Sequence, residues 1–378
     1  MRVAILTSGR FWLCDLAREL DRCGHEVYLY SLVPAWRTRR FGLPDRCNRW
    51  LGPYLAPLFG LRRALRATRY ADMANQLLSI GIDTAAARLI TSCDVFIGLS
   101  QLSRSTLRRV RRRFGAHTFL ERGNRHILSQ RDILAQLPAN GHHLPQVPQW
   151  AVRRELAEYE SADVIVVPSA HVQHSFQARG VPAAKLFRNP YGVDLAHFPP
   201  TLAPPAGTPP TVIMVGTWSL RKGCDALAEA WCRLTTRGSR LLHVGGLGDA
   251  PLPKDPGFTH HDTVDQHELT NWYAQAHVMA LASREEGLAL VQAQGLASGL
   301  HLVATDRTGA DDLQAYVTDP ATVRIAPAGD VFALAATIDT QLDRACRLVG
   351  RRDLLGSGRA RLSWEAYGRR YDARLRSL

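Results

Sequence analysis

The chain is 378 residues long, 46% hydrophobic, and carries a formal net charge of +13; that length and apolar content support about two domains with sizeable cores and exclude a disordered chain. No run of about 18 apolar residues occurs and the opening MRVAILTSGR holds only a short apolar run, so neither a membrane span nor a secretory leader is expected. Seven cysteines with no C-x-x-C pair exclude a disulfide framework and a zinc site, and read as buried thiols of a cytoplasmic protein.

VAIL (3–6) reads as a buried strand, followed by the turn TSGR and a helical pattern through Leu13, Leu16, Ala17 and Leu20 that ends at Gly24; EVYLYS (26–31) is the next strand. A β-α-β opening calls for a parallel sheet with right-handed crossovers. In YLAPLFGLRRALRATR (54–69), Leu58, Leu61 and Leu65 follow helical spacing while Arg62, Arg63, Arg66 and Arg69 cover much of the remaining surface. Such a helix can lie on an anionic membrane or simply pack on the sheet with solvated arginines. DVFIGLS (94–100), HTFLER (117–122) and DVIVVPS (163–169) are further strands.

FPPTLAPPAGTPPT (198–211) contains six prolines, which continue neither a helix nor a central strand. We therefore divide the chain into a first domain (1–198), a proline-rich linker (199–210), a second domain (211–358) and a terminal helix (359–378). The alternation restarts with TVIMVG (211–216), a helix from about 224 to 234, RLLHVGG (240–246), AHVMALAS (276–283) and HLVATD (301–306). The fold class is α/β, with two doubly wound domains in tandem, and the active site is expected in the cleft facing the carboxyl ends of both sets of strands.

Charge is unevenly divided. Residues 1–200 hold 28 Lys and Arg against 15 Asp and Glu, and the remainder 19 against 19. An excess confined to the first domain implies an anionic partner there: a membrane, a phospholipid-linked molecule or nucleic acid. No helix-turn-helix signature, zinc module or aromatic-interleaved basic stripe supports nucleic acid. The first strand leads into TSGRFW and not G-x-G-x-x-G, against a nicotinamide enzyme. The histidine pairs at 142–143 and 260–261 lack metal-ligand spacing and read as loop features, so no metal is expected.

In VGTWSLRKGCD (215–225), Arg221 and Lys222 sit between a strand ending at Gly216 and a helix, where two cations beside unpaired helix N–H groups suit a diphosphate; a solvated pair at a glycine turn is the plainer alternative. SREEGLALVQAQGLASG (283–299) places Glu286 and Gly287 at the start of a helix-like run. Glu286 can accept hydrogen bonds from sugar hydroxyls, and Gly287 allows close approach to the backbone. Eight residues of helix rise about 12 Å and return Gln294 to roughly the same side, a span suited to a nucleotide sugar. An N-terminal acid complementing the helix dipole and an ordinary surface glutamine would give the same pattern.

Together with ADVIVVPSAHVQHSFQARGVPAAKLFRNPYGVD, LHVGGLGD and LVATDRTGADDL, in this order, these motifs make the chain resemble the retaining glycosyltransferases of family four over nearly its whole length. The resemblance implies a GT-B fold: two Rossmann-like domains facing a central cleft, with a C-terminal helix (SWEAYGRRYDARLRSL) crossing back to the first domain. It also implies transfer of a sugar from a nucleoside-diphosphate sugar, as substrate, to a glycan or lipid-linked hydroxyl acceptor. The enzyme is expected in the cytoplasm, where the basic first domain can meet the inner face of the membrane or a soluble anionic acceptor. By resemblance Lys222 and Arg221 contact the diphosphate, Glu286 the sugar, and the amides of Gly287, Leu288, Ala289 and Leu290 both. Gly9 and GVDLAHF (192–198) line the cleft. Gln294 stands where the family pattern E-x7-E has its second glutamate, on the ribose. Thr217 stands where many relatives have arginine, a task Arg221 can assume. Where the family often places a histidine facing the donor sugar, this chain has Arg122, and His126 a turn later is the catalytic candidate; a structural histidine near a helix start is the plainer alternative. A non-catalytic nucleotide-sugar binding protein is the alternative function.

Overall fold

The computed structural model describes residues 1–66, 68–137 and 146–378. Near-continuous runs of Val, Ile, Leu and Ala form strands buried on both faces, and such strands pair in parallel under helices. The first sheet contains β1 (Arg2–Leu6), β2 (Glu26–Ser31), β3 (Asn48–Trp50), β4 (Val95–Leu99), β5 (His117–Glu121), β6 (Val164–Val167) and β7 (Leu186–Arg188), in the order β3-β2-β1-β4-β5-β6-β7. The second contains β8 (Thr211–Val215), β9 (Arg240–Val244), β10 (Phe258–His261), β11 (Val278–Leu281), β12 (His301–Thr305) and β13 (Val323–Ala326), in the order β10-β9-β8-β11-β12-β13. All pairs are parallel. The chain thus folds as two doubly wound domains, each reversing strand order once, between β1 and β4 and between β8 and β11. Ligand crevices open where strand order reverses.

The helix Trp364–Arg376 leaves the second domain and packs on the first. Its Asp372 meets His25 at 2.7 Å, and Arg370 donates to the Asn189 side chain at 2.7 Å. A Cβ on Gly368 would lie 2.3 Å from the Glu19 Cβ, so glycine sets how closely this helix approaches Phe11–Arg22. Tyr367 and Tyr371 are fully buried there and extend the first domain's core.

Three sequence expectations need correction. The cysteines are not all buried: Cys232 and Cys346 are exposed, near the ends of outer helices. His260 and His261 are not loop residues: they end β10, where the His260 and His243 rings stack at 4.9 Å. The other pair, His142 and His143, lies outside the described residues. The helix expected to open at Gly287 begins at Leu290 and runs to Ala297, because residues 283–289 form a loop from β11 that is held in the cleft. Among the described residues no helix is long and apolar enough to cross a membrane, and no cluster of three or more His, Cys, Asp or Glu side chains could hold a metal ion.

Candidate active site

The loops that leave the reversing strands converge on one cleft of about 1130 Å³. Its walls include Gly9 after β1, Gln101 after β4, Gly216, Arg221 and Lys222 after β8, and Glu286, Leu288, Ala289 and Leu290 after β11. Gly223, at φ +65°, pins the Arg221–Lys222 turn against the end of β11, since a Cβ there would meet the Ala282 carbonyl oxygen at 1.9 Å. Arg284 ties the two loops together: its guanidinium grips both Asp225 oxygens, at 2.6 and 2.8 Å, and donates to the Leu220 carbonyl at 2.7 Å. A bidentate fork of this kind fixes orientation as well as adding binding energy.

Lys222 Nζ is paired with Glu286 Oε2, and Arg221 donates to the Glu285 carbonyl oxygen at 3.0 Å and lies 3.3 Å from its carboxylate. Burial alone would raise the Glu286 carboxyl, but the Lys222 ammonium and the Arg221 guanidinium outweigh it and hold it below its ordinary value. Glu285 is fully buried; burial pushes its carboxyl up against the pull of Arg221, and Oε1 has no partner. The cleft therefore holds cations already matched by carboxylates. Thr217 is exposed, and Arg221 places a guanidinium on the cleft wall close to it in sequence.

Gln294 does not lie two turns along a helix from Glu286. It sits in the second turn of Leu290–Ala297 and lines an adjoining cavity of about 510 Å³ with Leu290, Phe11, Trp12, Val193 and Asp194. Its Oε1 is buried without a hydrogen-bond partner. Phe11, Trp12 and Leu290 border both cavities.

His126 stands at a helix start, as the sequence suggested. It is 3% exposed, and its Nδ1 accepts from the Leu128 N–H at 3.3 Å as the cap of the helix Ile127–Leu134. Its ring packs 5.0 Å from that of Tyr159 and 5.1 Å from that of Phe176, and burial pushes its imidazole down to about 4. The ring thus caps its helix and is not among the side chains that line the cleft, which does not favour the catalytic role. Arg122 does border the cleft, but its guanidinium is spent on Glu155 at 2.9 Å and Gln130 at 2.7 Å.

Sequence reasoning missed the contacts that join the domains. Gln130 donates to Glu285 at 3.2 Å, Ser169 Oγ to the Gly287 carbonyl at 2.9 Å, and His171 Nε2 lies 2.8 Å from the Glu286 carbonyl. A Cβ on Gly287 would stand 1.6 Å from the Gly123 carbonyl oxygen, so backbone meets backbone across the cleft floor. Gln101 was missed too. Its φ of +71° is rare for a residue with a Cβ, and Glu155 and Glu158 hold it through hydrogen bonds of 2.6 Å each. Strained residues held this way concentrate at functional sites. No local motif announces these residues, because their partners lie in the other domain or far along the chain.

Trp12, on the wall between the two cavities, donates through Nε1 to Glu121 Oε2 at 2.8 Å. Burial raises the Glu121 carboxyl from 4.5 to about 7, a shift the tryptophan bond only partly opposes. Below pH 4.5 folded and unfolded chains both keep this proton; between 4.5 and about 7 only the folded chain does. Stability consequently falls as pH rises through that window and stays at the lower level above it. Glu121→Gln, which keeps the acceptor for Trp12, should stabilise the protein by on the order of 2–3 kcal/mol near pH 8 and by little near pH 4. Urea unfolding at the two pH values checks this, and an equal gain at both would remove the assignment.

The chain matches the family model described as Glycosyltransferase Family 4 over residues 12–197 and the one described as Glycosyl transferases group 1 over residues 209–344. The sulfoquinovosyl transferase SQD2 of Arabidopsis thaliana is 30% identical over 185 residues, which is 44% of this chain and 34% of that protein. The chain thus matches about a third of that relative's length. Among solved structures, sucrose-phosphate synthase from Thermosynechococcus elongatus superposes with a TM-score of 0.63 at 18% identity, covering 100% of this chain and 98% of that one. Anabaena HepE in complex with UDP and glucose gives 0.64 at 13% identity, covering 100% of each chain. These likenesses establish the GT-B fold.

Proposed function

Because the chain belongs to the glycosyltransferases of group 1 and family four, we propose that it is a retaining hexosyltransferase, moving a sugar from a nucleoside-diphosphate sugar to a hydroxyl of a glycan or lipid-linked acceptor. The observation that carries this reading is the convergence of Arg221, Lys222 and Glu286 on one wall of the interdomain cleft. The diphosphate takes Lys222 and Arg221, and the sugar hydroxyls take Glu286, which gives up its ammonium partner in exchange. Leu290 leads onward to Gln294, which lines the adjoining cavity and whose amide can meet a ribose hydroxyl. As the glycosidic bond breaks, negative charge grows on the leaving diphosphate, and the cations drawn onto it when the donor binds stabilise that charge. The acceptor enters along the first domain, between Gln101 and the helix Ala71–Leu89.

Turnover with UDP-, GDP- and ADP-sugars, and the anomeric configuration of the product by proton NMR, test the reading. A retained configuration supports it. Diphosphate binding with no transfer to any hydroxyl acceptor would favour a nucleotide-sugar binding protein, the reading that Gln294 in place of a glutamate leaves in competition.

A further inference from the structure

The helix Ala71–Leu89 is apolar on two opposite sides. Ala74, Leu78, Ile82 and Ala86 recur every four residues and are buried, with Leu78 and Ile82 lining the cleft. Tyr70, just before it, and then Met73, Leu77 and Ile80 recur every three or four residues and are exposed, Met73 by 49%. The neighbouring helix Gly52–Leu65 adds Tyr54, 64% exposed, and Leu61, and the chain just before it adds Trp50. A surface helix normally turns one apolar stripe inward and a polar face outward, so a second, outward stripe marks an interaction surface.

The charge beside this stripe is of one sign. Arg62, Arg63, Arg66 and Arg69 are all exposed. Between residues 52 and 89 the only carboxylates are Asp72 and Asp83, and Asp83 is buried, bonded to Thr106 and Arg154. Guanidinium groups pair with phosphate oxygens, and tyrosine and tryptophan favour the level of lipid headgroups. A second copy of the chain fits less well, because a two-fold contact through the stripe would set the arginine cluster near its own image.

We propose that the outer face of Gly52–Leu65 and Ala71–Leu89 docks on a bilayer containing anionic lipid. Ala71–Leu89 then stands between the bilayer and the cleft, and a lipid-borne acceptor reaches the cleft past Phe59, Arg62 and Asn75. That delivery rests on the transferase reading above; the docking itself does not.

Co-sedimentation of the full chain with vesicles of phosphatidylcholine alone, or mixed with phosphatidylglycerol, tests the proposal. Binding is expected with the mixed vesicles only, and added salt weakens it. Changing Arg63, Arg66 and Arg69 together to glutamine should lower partitioning by on the order of a hundredfold, about fivefold for each arginine near the surface. The combined Met73→Ser, Leu77→Ser and Ile80→Ser variant should lose binding even at low salt. Both variants should keep the wild-type circular dichroism and affinity for UDP, GDP or ADP, which separates loss of docking from loss of fold or site. Equal recovery in the supernatant with both vesicle types at low salt overturns the proposal. So does a vesicle-free dimer that the serine variant abolishes, since the stripe would then belong to a second copy.

Discussion

Gly287→Ala should leave both domains folded and reduce sugar transfer by about a hundredfold or more. The added Cβ would lie 1.6 Å from the Gly123 carbonyl oxygen, 2.7 Å from its carbon and 3.1 Å from the Asn124 Cα. None of these is the end of a flexible side chain, so relief requires the loop 285–288 and the segment 123–124 to part by roughly 2 Å to reach ordinary van der Waals separation. Parting them breaks the bonds of Gln130 to Glu285 and of Ser169 to the Gly287 carbonyl, which bridge the domains. A misplacement of about 1 Å costs on the order of a hundredfold in rate when reacting groups must meet across an interface. Thermal unfolding should change little, because both parallel sheets keep their buried strands, while solution scattering should show a larger radius of gyration. Wild-type turnover together with wild-type scattering would mean that the glycine contact does not hold the domains in register.

How far the sequence led to this site depended on where each signal lay along the chain. Nine strands announce themselves as apolar runs, and they occupy the centres of the two sheets. The four that do not, β3, β7, β10 and β13, are the four sheet edges. Asn-Arg-Trp, Leu-Phe-Arg, Phe-Thr-His-His and Val-Arg-Ile-Ala are short and partly polar because an edge strand needs fewer buried side chains, and polar residues there discourage pairing with another chain. Arg221, Lys222 and Glu286 were legible because local chemistry marked them: cations beside a glycine turn, and a carboxylate before a glycine. The exit from β11 was not. An apolar, glycine-containing run reads as helix from Gly287 onward, yet tertiary contacts from Ser169, His171 and Gln130 keep the loop out of helix as far as Ala289. His126 shows the same limit: a histidine near a helix start serves as a cap or a catalytic group, and its packing against Tyr159 and Phe176 comes from elements far along the chain.

Lys222→Ala should weaken nucleoside-diphosphate binding by about 1.5–3 kcal/mol, the range for hydrogen bonds to charged groups, or about 10- to 150-fold in Kd. The pairing of Lys222 with Glu286 adds a second expectation. With the ammonium gone, the Glu286 carboxylate stays beside the incoming diphosphate with Arg221 as its remaining neighbouring cation, 3.8 Å away. Its negative charge then repels the ligand, so part of the loss comes from an uncompensated carboxylate and not from the missing donor. Neutralising it should restore affinity: Lys222→Ala with Glu286→Gln should bind UDP, GDP or ADP more tightly than Lys222→Ala alone. The double variant should still transfer sugar poorly, because an amide holds sugar hydroxyls less strongly than a carboxylate does. Calorimetry on the wild type, the two single variants and the double variant closes a thermodynamic cycle whose coupling term should be on the order of 1 kcal/mol or more. Unchanged diphosphate affinity in a folded Lys222→Ala protein would take Lys222 out of the donor site. Strictly additive losses would leave Lys222 in place but move the diphosphate beyond the reach of Glu286.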